Sequence, residues 1–353
     1  MLAFTYEALP SRVVFGPDSL DRLPDEVVRL GAEKALVLCT PEQRPTAEDV
    51  ARRLGARAAG IYDRAVMHVP IETARAARER ARDLGADACV AVGGGSTIGL
   101  DKAIALEFGL PILAVPTTYA GSEMTPIWGL TEGDLKRTGR DAKVLPRTVI
   151  YDARLTLSLP PALSATSGMN AIAHAAEALY SENANPIISL MAEEGIRALA
   201  ESLPRIVREP QDLDARATAQ YGCWLCGVCL GTVGMALHHK LCHTLGGTLN
   251  LPHSETHTIV LPHAVAYNQA AAPEAMARIA RALGTKTAAA GLFDLATTLG
   301  VKTRLADLDV NARDLDRIAD LAVQNPYYNP RPVTREGMRA LLNDAYEGRR
   351  PST

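Results

Sequence analysis

Hydrophobic positions in the first half of the chain fall into short runs separated by longer amphipathic stretches. Residues 12–15, 34–38, 60–62, 88–92, 112–115 and 148–151 are β-rich, and several of these runs are almost wholly apolar. Such runs suit strands buried on both faces, as in parallel sheets. Helical patterns lie between them, for example at 71–84, where alanines fill one side and arginines the other. This alternation predicts a parallel sheet with helices on both faces. Past Asp152 the pattern changes. Pro160-Pro161 punctuates the chain, and β-like runs become scarce. Helical periodicity takes over at 162–180, 186–207, 215–230, 234–245, 273–283, 287–299 and 312–324. The expected architecture is an α/β N-terminal domain over residues 1–156 and an all-α C-terminal domain over residues 157–353.

Composition narrows the function without naming it. A net charge of -3 offers no electrostatic footprint for nucleic acid. No apolar run reaches the roughly 18 residues of a membrane helix, and the start of the chain lacks a signal-peptide pattern. These features predict a cytoplasmic protein with no membrane or nucleic-acid partner. Cys223, Cys226 and Cys229 recur every third residue on one helical stretch beside Trp224, Leu225 and Val228. They are expected as buried thiols, because zinc thiolates would converge from turns.

Two strand ends carry candidate chemistry. Val90-Ala91-Val92 leads into Gly93-Gly94-Gly95-Ser96-Thr97 and then a helix. Glycines let backbone N–H groups approach a ligand closely, and a helix start favours a phosphate. The spacing is not GxGxxG, so this is not the ordinary dinucleotide fingerprint. The strand at 112–115 runs into Pro116-Thr117-Thr118-Tyr119-Ala120-Gly121-Ser122-Glu123. Both turns are expected at the carboxyl edge of one sheet, where open α/β folds bind ligands.

The helical half carries a second constellation. His239 and His243 stand at i and i+4 on one helix face, as do Asn170 and His174. His253 follows the Gly246-Gly247 pair, which reads as a helix break. Helices presenting such pairs can converge on one pocket. His238 points about 100° away from His239 and is expected outside that pocket. His257 and His263 read as structural.

In order and spacing, GGGS after one strand, PTT-x-x-GSE after the next and a later paired-histidine helix resemble the iron-containing alcohol dehydrogenase family. Within it, residues 116–124, 139–141, 144–152 (VLPRTVIYD) and 166–174 (TSGMNAIAH) are most similar to the maleylacetate reductase branch. The resemblance implies a dehydroquinate synthase-like architecture with a dinucleotide-binding first domain, acting as a homodimer. It implies that Gly94, Gly95, Ser96, Thr97, Thr117 and Thr118 hold the phosphates and ribose of NADH or NADPH, with Lys136 nearby. Many relatives carry an Asp at the end of the second strand. Here Cys39 and Thr40 follow Leu38, so Thr40 is expected at the ribose with no carboxylate to repel a 2′-phosphate. Gly99 replaces the acidic residue usual three positions after the serine, while Lys102 matches the family lysine.

The metal-dependent relatives hold their cation with Asp, His, His and His. The matching residues are Asn170, His174, His239 and His253. A neutral amide in place of the only anionic ligand predicts that no metal is required. If one were held, His174, His239 and His253 would hold it. The implied activity is NAD(P)H-dependent reduction of the carbon–carbon double bond of maleylacetate to 3-oxoadipate, in aromatic-compound catabolism. His243 is expected as the proton donor, with His239 and His253 as donors to the substrate's oxygens. Asn170, His174 and Arg140 are expected at the substrate carboxylates, and Tyr327, Tyr328, Asn329 and Arg331 form a polar aromatic segment in reach. The alternatives are a metal-dependent alcohol or glycerol dehydrogenase and a catalytically silent nucleotide-binding protein.

Overall fold

A computed structural model describes residues 4–9, 11–133 and 135–352. Its contacts divide the chain into two compact units, residues 9–159 and residues 160–353, the second joined by the residues before Leu9.

The first unit is built on strands β1 (Arg12–Phe15), β2 (Ala35–Leu38), β3 (Ala58–Tyr62), β4 (Ala88–Gly93), β5 (Ile112–Pro116), β6 (Ile127–Glu132), β7 (Leu135–Arg140) and β8 (Thr148–Tyr151). Six of them form a sheet in the order β1-β8-β5-β4-β2-β3, and every pairing is parallel. The helices are α1 (Leu23–Arg29), α2 (Arg44–Leu54), α3 (Ile71–Asp83) and α4 (Gly95–Phe108). Side chains alternate across the strands, so each run feeds two cores. Val37, Val90, Val115 and Ile150 meet Leu23 and Val27 of α1 and Val50 of α2. On the other face Leu36, Leu38 and Cys89 meet Ala74 and Ala77 of α3 and Leu100 and Ile104 of α4. All six runs expected as strands are strands of this sheet.

The antiparallel hairpin β6–β7 lies outside the six runs expected as strands. β6 (IWGLTE) is half-buried up to Thr131, and the sequence of β7 carries Lys136, Arg137 and Arg140, so neither reads as a run buried on both faces. Trp128 of β6 lies over Gly139 of β7, where a Cβ would come within 2.6 Å of the indole.

The second unit is helical: α5 (Pro161–Ala178), α6 (Pro186–Arg208), α7 (Leu213–Thr232), α8 (Leu237–Leu249), α9 (His253–Asn268), α10 (Pro273–Leu283), α11 (Ala288–Thr298), α12 (Asp314–Ala322) and α13 (Arg335–Glu347). Cys223, Cys226 and Cys229 are free and buried on α7, and Cys226 Sγ lies so near Gly195 that a Cβ there would come within 2.7 Å. Leu241 and Leu245 of α8, Val260 of α9, Ile318 of α12 and Leu342 of α13 share one core. Gly246-Gly247 does not break α8. The helix runs through both glycines and ends at Asn250, which takes the left-handed conformation with φ 51°, a usual way to end a helix. Among the described residues no single helix is long and apolar enough to cross a membrane.

Candidate active site

Two sites carry chemistry, one in each unit. In the sheet unit the chain runs from β2 outward to β3, and from β4 the opposite way to β5. Ligands of open α/β sheets bind at such a reversal, beyond the carboxyl ends of the strands. Here that edge is the turn from Gly93 to Gly95. Gly93 has φ +155°, and a Cβ on Gly94 would come within 2.8 Å of Thr118 Oγ1. The bare backbone therefore lies against the second turn, and Thr117 N–H donates to Gly93 O at 3.2 Å. Helix α4 opens at Gly95 with no side-chain cap on its first N–H groups. The hydroxyls of Thr97 and Thr117 are buried without a protein partner. Orphaned hydroxyls beside an uncapped helix start fit the phosphates of a dinucleotide. Gly94, Gly95, Ser96, Thr97, Thr117 and Thr118 thus lie together at one sheet edge.

Lys102 anchors this edge from beneath. Its ammonium donates to Ser122 O at 2.7 Å, Thr125 O at 2.8 Å, Thr125 Oγ1 at 2.9 Å and Ile127 O at 2.9 Å. Burial lowers its pKa to about 7. The four acceptors hold the segment after Thr118, so the lysine shapes the turn.

The end of β2 corrects one expectation. Leu38 pairs with Ala91, which sets Thr40 beside the glycine turn. Thr40 is followed two residues later by the exposed Glu42, whose carboxyl is held below its usual range mainly by a hydrogen bond from the Thr40 hydroxyl. A carboxylate therefore does stand at this strand end, later in the chain than the usual Asp. Arg140 closes β7 on the exposed side of the hairpin, and Arg137 pairs with Glu132 at 3.1 Å. The side chain of Lys136 lies outside the described residues.

In the helical unit, Asn170, His174 and Glu177 occupy one face of α5 at i, i+4 and i+7 and are all buried. The ring of His174 stacks on that of His239 from α8, with centroids 5.1 Å apart. Glu177 accepts from Ala236 N at 2.7 Å, from His238 N at 2.6 Å and from His239 Nδ1 at 2.7 Å. It thereby caps α8, whose own N-cap Ala236 offers no side chain. These donors hold the carboxyl below its ordinary pKa against the cost of burial. Glu177 was not expected, although its spacing from Asn170 and His174 was the signal.

His243 lies one turn beyond His239, with centroids 6.0 Å apart, and is exposed. Its Nδ1 is 3.2 Å from Tyr327 Oη. His253 opens α9 and is also exposed. His257, expected as merely structural, instead joins the cluster: its ring lies 4.2 Å from His253, 4.8 Å from His238 and 4.9 Å from His239. His238, expected outside, is in it too, and its Nε2 donates to His257 O at 3.0 Å. A 100° rotation around α8 still faces protein here, because α9 packs there. His263 lies apart beside Phe293, as expected of a structural residue.

Burial, with repulsion from neighbouring rings, keeps His174 and His257 well below their ordinary pKa, and lowers His238 to about 4. These rings are neutral at neutral pH. Asn170 Oδ1, His174 Nδ1, His239 Nε2 and both ring nitrogens of His257 are buried without partners. His239 Nδ1 donates its hydrogen to Glu177 Oε2, which leaves Nε2 as the nitrogen that bears the lone pair in the neutral imidazole.

The donor set fits a tightly held divalent cation poorly. The position of the usual anionic ligand is the amide of Asn170, and the one carboxylate in the cluster, Glu177, is committed to α8 and His239. Among the described residues, the histidine nitrogens that gather as a trio within 4.8 Å belong to His238, His239 and His257. That is a different set from His174, His239 and His253.

A parallel sheet with a phosphate-fitting turn and a helical unit carrying a histidine cluster define a nicotinamide-dependent oxidoreductase fold. Residues 10–153 match the iron-containing alcohol dehydrogenase family and residues 164–346 match the Fe-containing alcohol dehydrogenase family, C-terminal; the chain belongs to this family. It is 60% identical to a maleylacetate reductase from Burkholderia cepacia over 100% of both chains, and 56% identical over 100% of both to one from Sphingobium indicum. The crystal structure of maleylacetate reductase from a Rhizobium strain superposes with a TM-score of 0.96 at 54% identity, covering 99% of this chain and 100% of that one.

Proposed function

We propose that this enzyme reduces the carbon–carbon double bond of maleylacetate, giving 3-oxoadipate, with NADH or NADPH as reductant and without a metal. The observation that carries the reading is the buried amide of Asn170, one turn before His174 on α5, where metal-dependent relatives place a carboxylate. The full-length identity to maleylacetate reductases supports the substrate. The reading puts the enzyme in the cytoplasm as a homodimer, in aromatic-compound breakdown.

The bound dinucleotide supplies a hydride to the alkene carbon β to the ketone. Charge then develops on the ketone oxygen as an enolate, and the chain must stabilise it and deliver one proton to the α carbon. His253 donates an N–H to that oxygen. His243 gives the proton, since it is exposed and its other nitrogen faces Tyr327 Oη. Asn170 and His174 receive the substrate carboxylates. Gly94, Gly95, Ser96, Thr97, Thr117, Thr118 and Thr40 hold the dinucleotide, with Lys136 beside it.

Product analysis tests this reading. Incubation with NADH and maleylacetate should yield 3-oxoadipate, with the ketone intact and two hydrogens added across the alkene. A hydroxy acid with the alkene intact would instead mark a carbonyl-reducing alcohol dehydrogenase.

A further inference from the structure

We propose that Glu177 is a positioning residue of the reaction, which fixes His239 as the tautomer that accepts a proton or hydrogen bond at Nε2. The inference rests on the reading above for its catalytic half, while its structural half stands alone. A buried carboxylate has only acceptors to offer. At 2.7 Å from Glu177 Oε2, His239 Nδ1 must therefore carry the hydrogen. The same carboxylate is held in place by two α8 backbone N–H groups at 2.6 and 2.7 Å, so it cannot turn away. In the neutral imidazole the lone pair of His239 then falls on Nε2, which is buried and has no protein partner.

The neighbouring rings have other partners. His238 Nε2 donates to the carbonyl of His257, and His243 Nδ1 faces a hydroxyl that can donate or accept. Glu177 therefore divides the labour of the cluster. His239 is its accepting member, and proton donation falls to His243 and His253. The same carboxylate anchors the start of α8, so helix position and ring tautomer are set by one group.

The test uses nitrogen-15-labelled histidine in the intact protein, with His239→Gln to assign the resonance. Wild-type His239 should show a protonated Nδ1, with its proton shifted far downfield, and a bare Nε2. In Glu177→Gln one oxygen becomes an N–H₂, which must face either His238 N or the pair Ala236 N and His239 Nδ1; facing Nδ1 it drives the proton to Nε2. That variant should lose about 10²-fold or more in kcat, on the scale seen when an orienting carboxylate becomes an amide. NADH affinity should stay within about twofold, since the dinucleotide turn lies in the other unit.

A bare Nδ1 in wild type would overturn the proposal without any substrate being present. So would a Glu177→Gln protein that keeps wild-type kcat after the tautomer has flipped. Were the wild-type tautomer as stated but maleylacetate unreduced, the substrate reading alone would fall. If Glu177→Gln does not fold, the wild-type resonance still decides the tautomer, and Glu177→Asp decides the catalytic half. The shorter acid keeps the acceptor chemistry and should retain more activity than any amide; equal loss in the two would overturn the positioning role.

Discussion

His243 and His239 show how two imidazoles one helical turn apart acquire different roles. His239 is buried and bound to a carboxylate at 2.7 Å, while His243 is exposed and faces a phenol at 3.2 Å. His243→Ala should therefore lower kcat by about 10²-fold or more, the usual scale for a positioned general acid. NADH binding, measured by fluorescence titration, should hardly change. Near-normal turnover would remove His243 from the mechanism and leave His253 as the better donor. The second residue with a decisive charge is Glu42. Held by Thr40 at the end of β2, its carboxylate would repel the negative charge of a 2′-phosphate if the ribose sits against Thr40 as proposed. Glu42→Gln should shift the ratio of kcat/KM for NADPH over NADH upward by about tenfold, near 1.4 kcal/mol. An unchanged ratio would show that Glu42 does not read the ribose.

The glycine turn and the α8–α9 connection mark what an element can reveal in its sequence. Gly94→Ala would push a Cβ to within 2.8 Å of Thr118 Oγ1. The turns must then part, and NADH affinity should fall by about tenfold or more, while the melting temperature falls by only a few degrees. Full affinity in the variant would mean that the two turns need not touch. The six strands of the sheet were legible because their runs are apolar on both faces. The hairpin β6–β7 was not, because β6 is only half-buried and β7 is charged. Helix α9 was hidden for a different reason. It is buried almost all round, includes Pro262 and carries His257 inward, so it shows no polar face. That concealment is why His257 read as remote, though it lies 4.2 Å from His253. The roles of His238 and Glu177 were similarly illegible, since both depend on which helix packs against them.

For the whole molecule, the buried histidines tie stability to pH. His238 and His263 are lowered by burial from 6.5 to about 4 in the folded chain. The unfolded chain therefore binds more protons through that interval, and stability must fall as pH drops from about 6.5 to 4. Glu177 adds to the loss further down, because its depressed folded pKa means protonation breaks the α8 cap. Thermal melts across this range should show a steady decline, and a flat melting temperature would contradict neutral burial of these rings.

The central claim of the proposed function is that this member of an iron-containing family works through its own side chains, because the amide of Asn170 stands at the position of the usual anionic ligand and Glu177 is committed to α8 and His239. The most direct measurement is maleylacetate-dependent NADH oxidation by enzyme treated exhaustively with a chelator, alongside its metal content. Treated enzyme with far less than one metal per chain should retain most of its turnover. Activity that vanishes on chelation and returns with Fe²⁺ or Zn²⁺ would contradict the account.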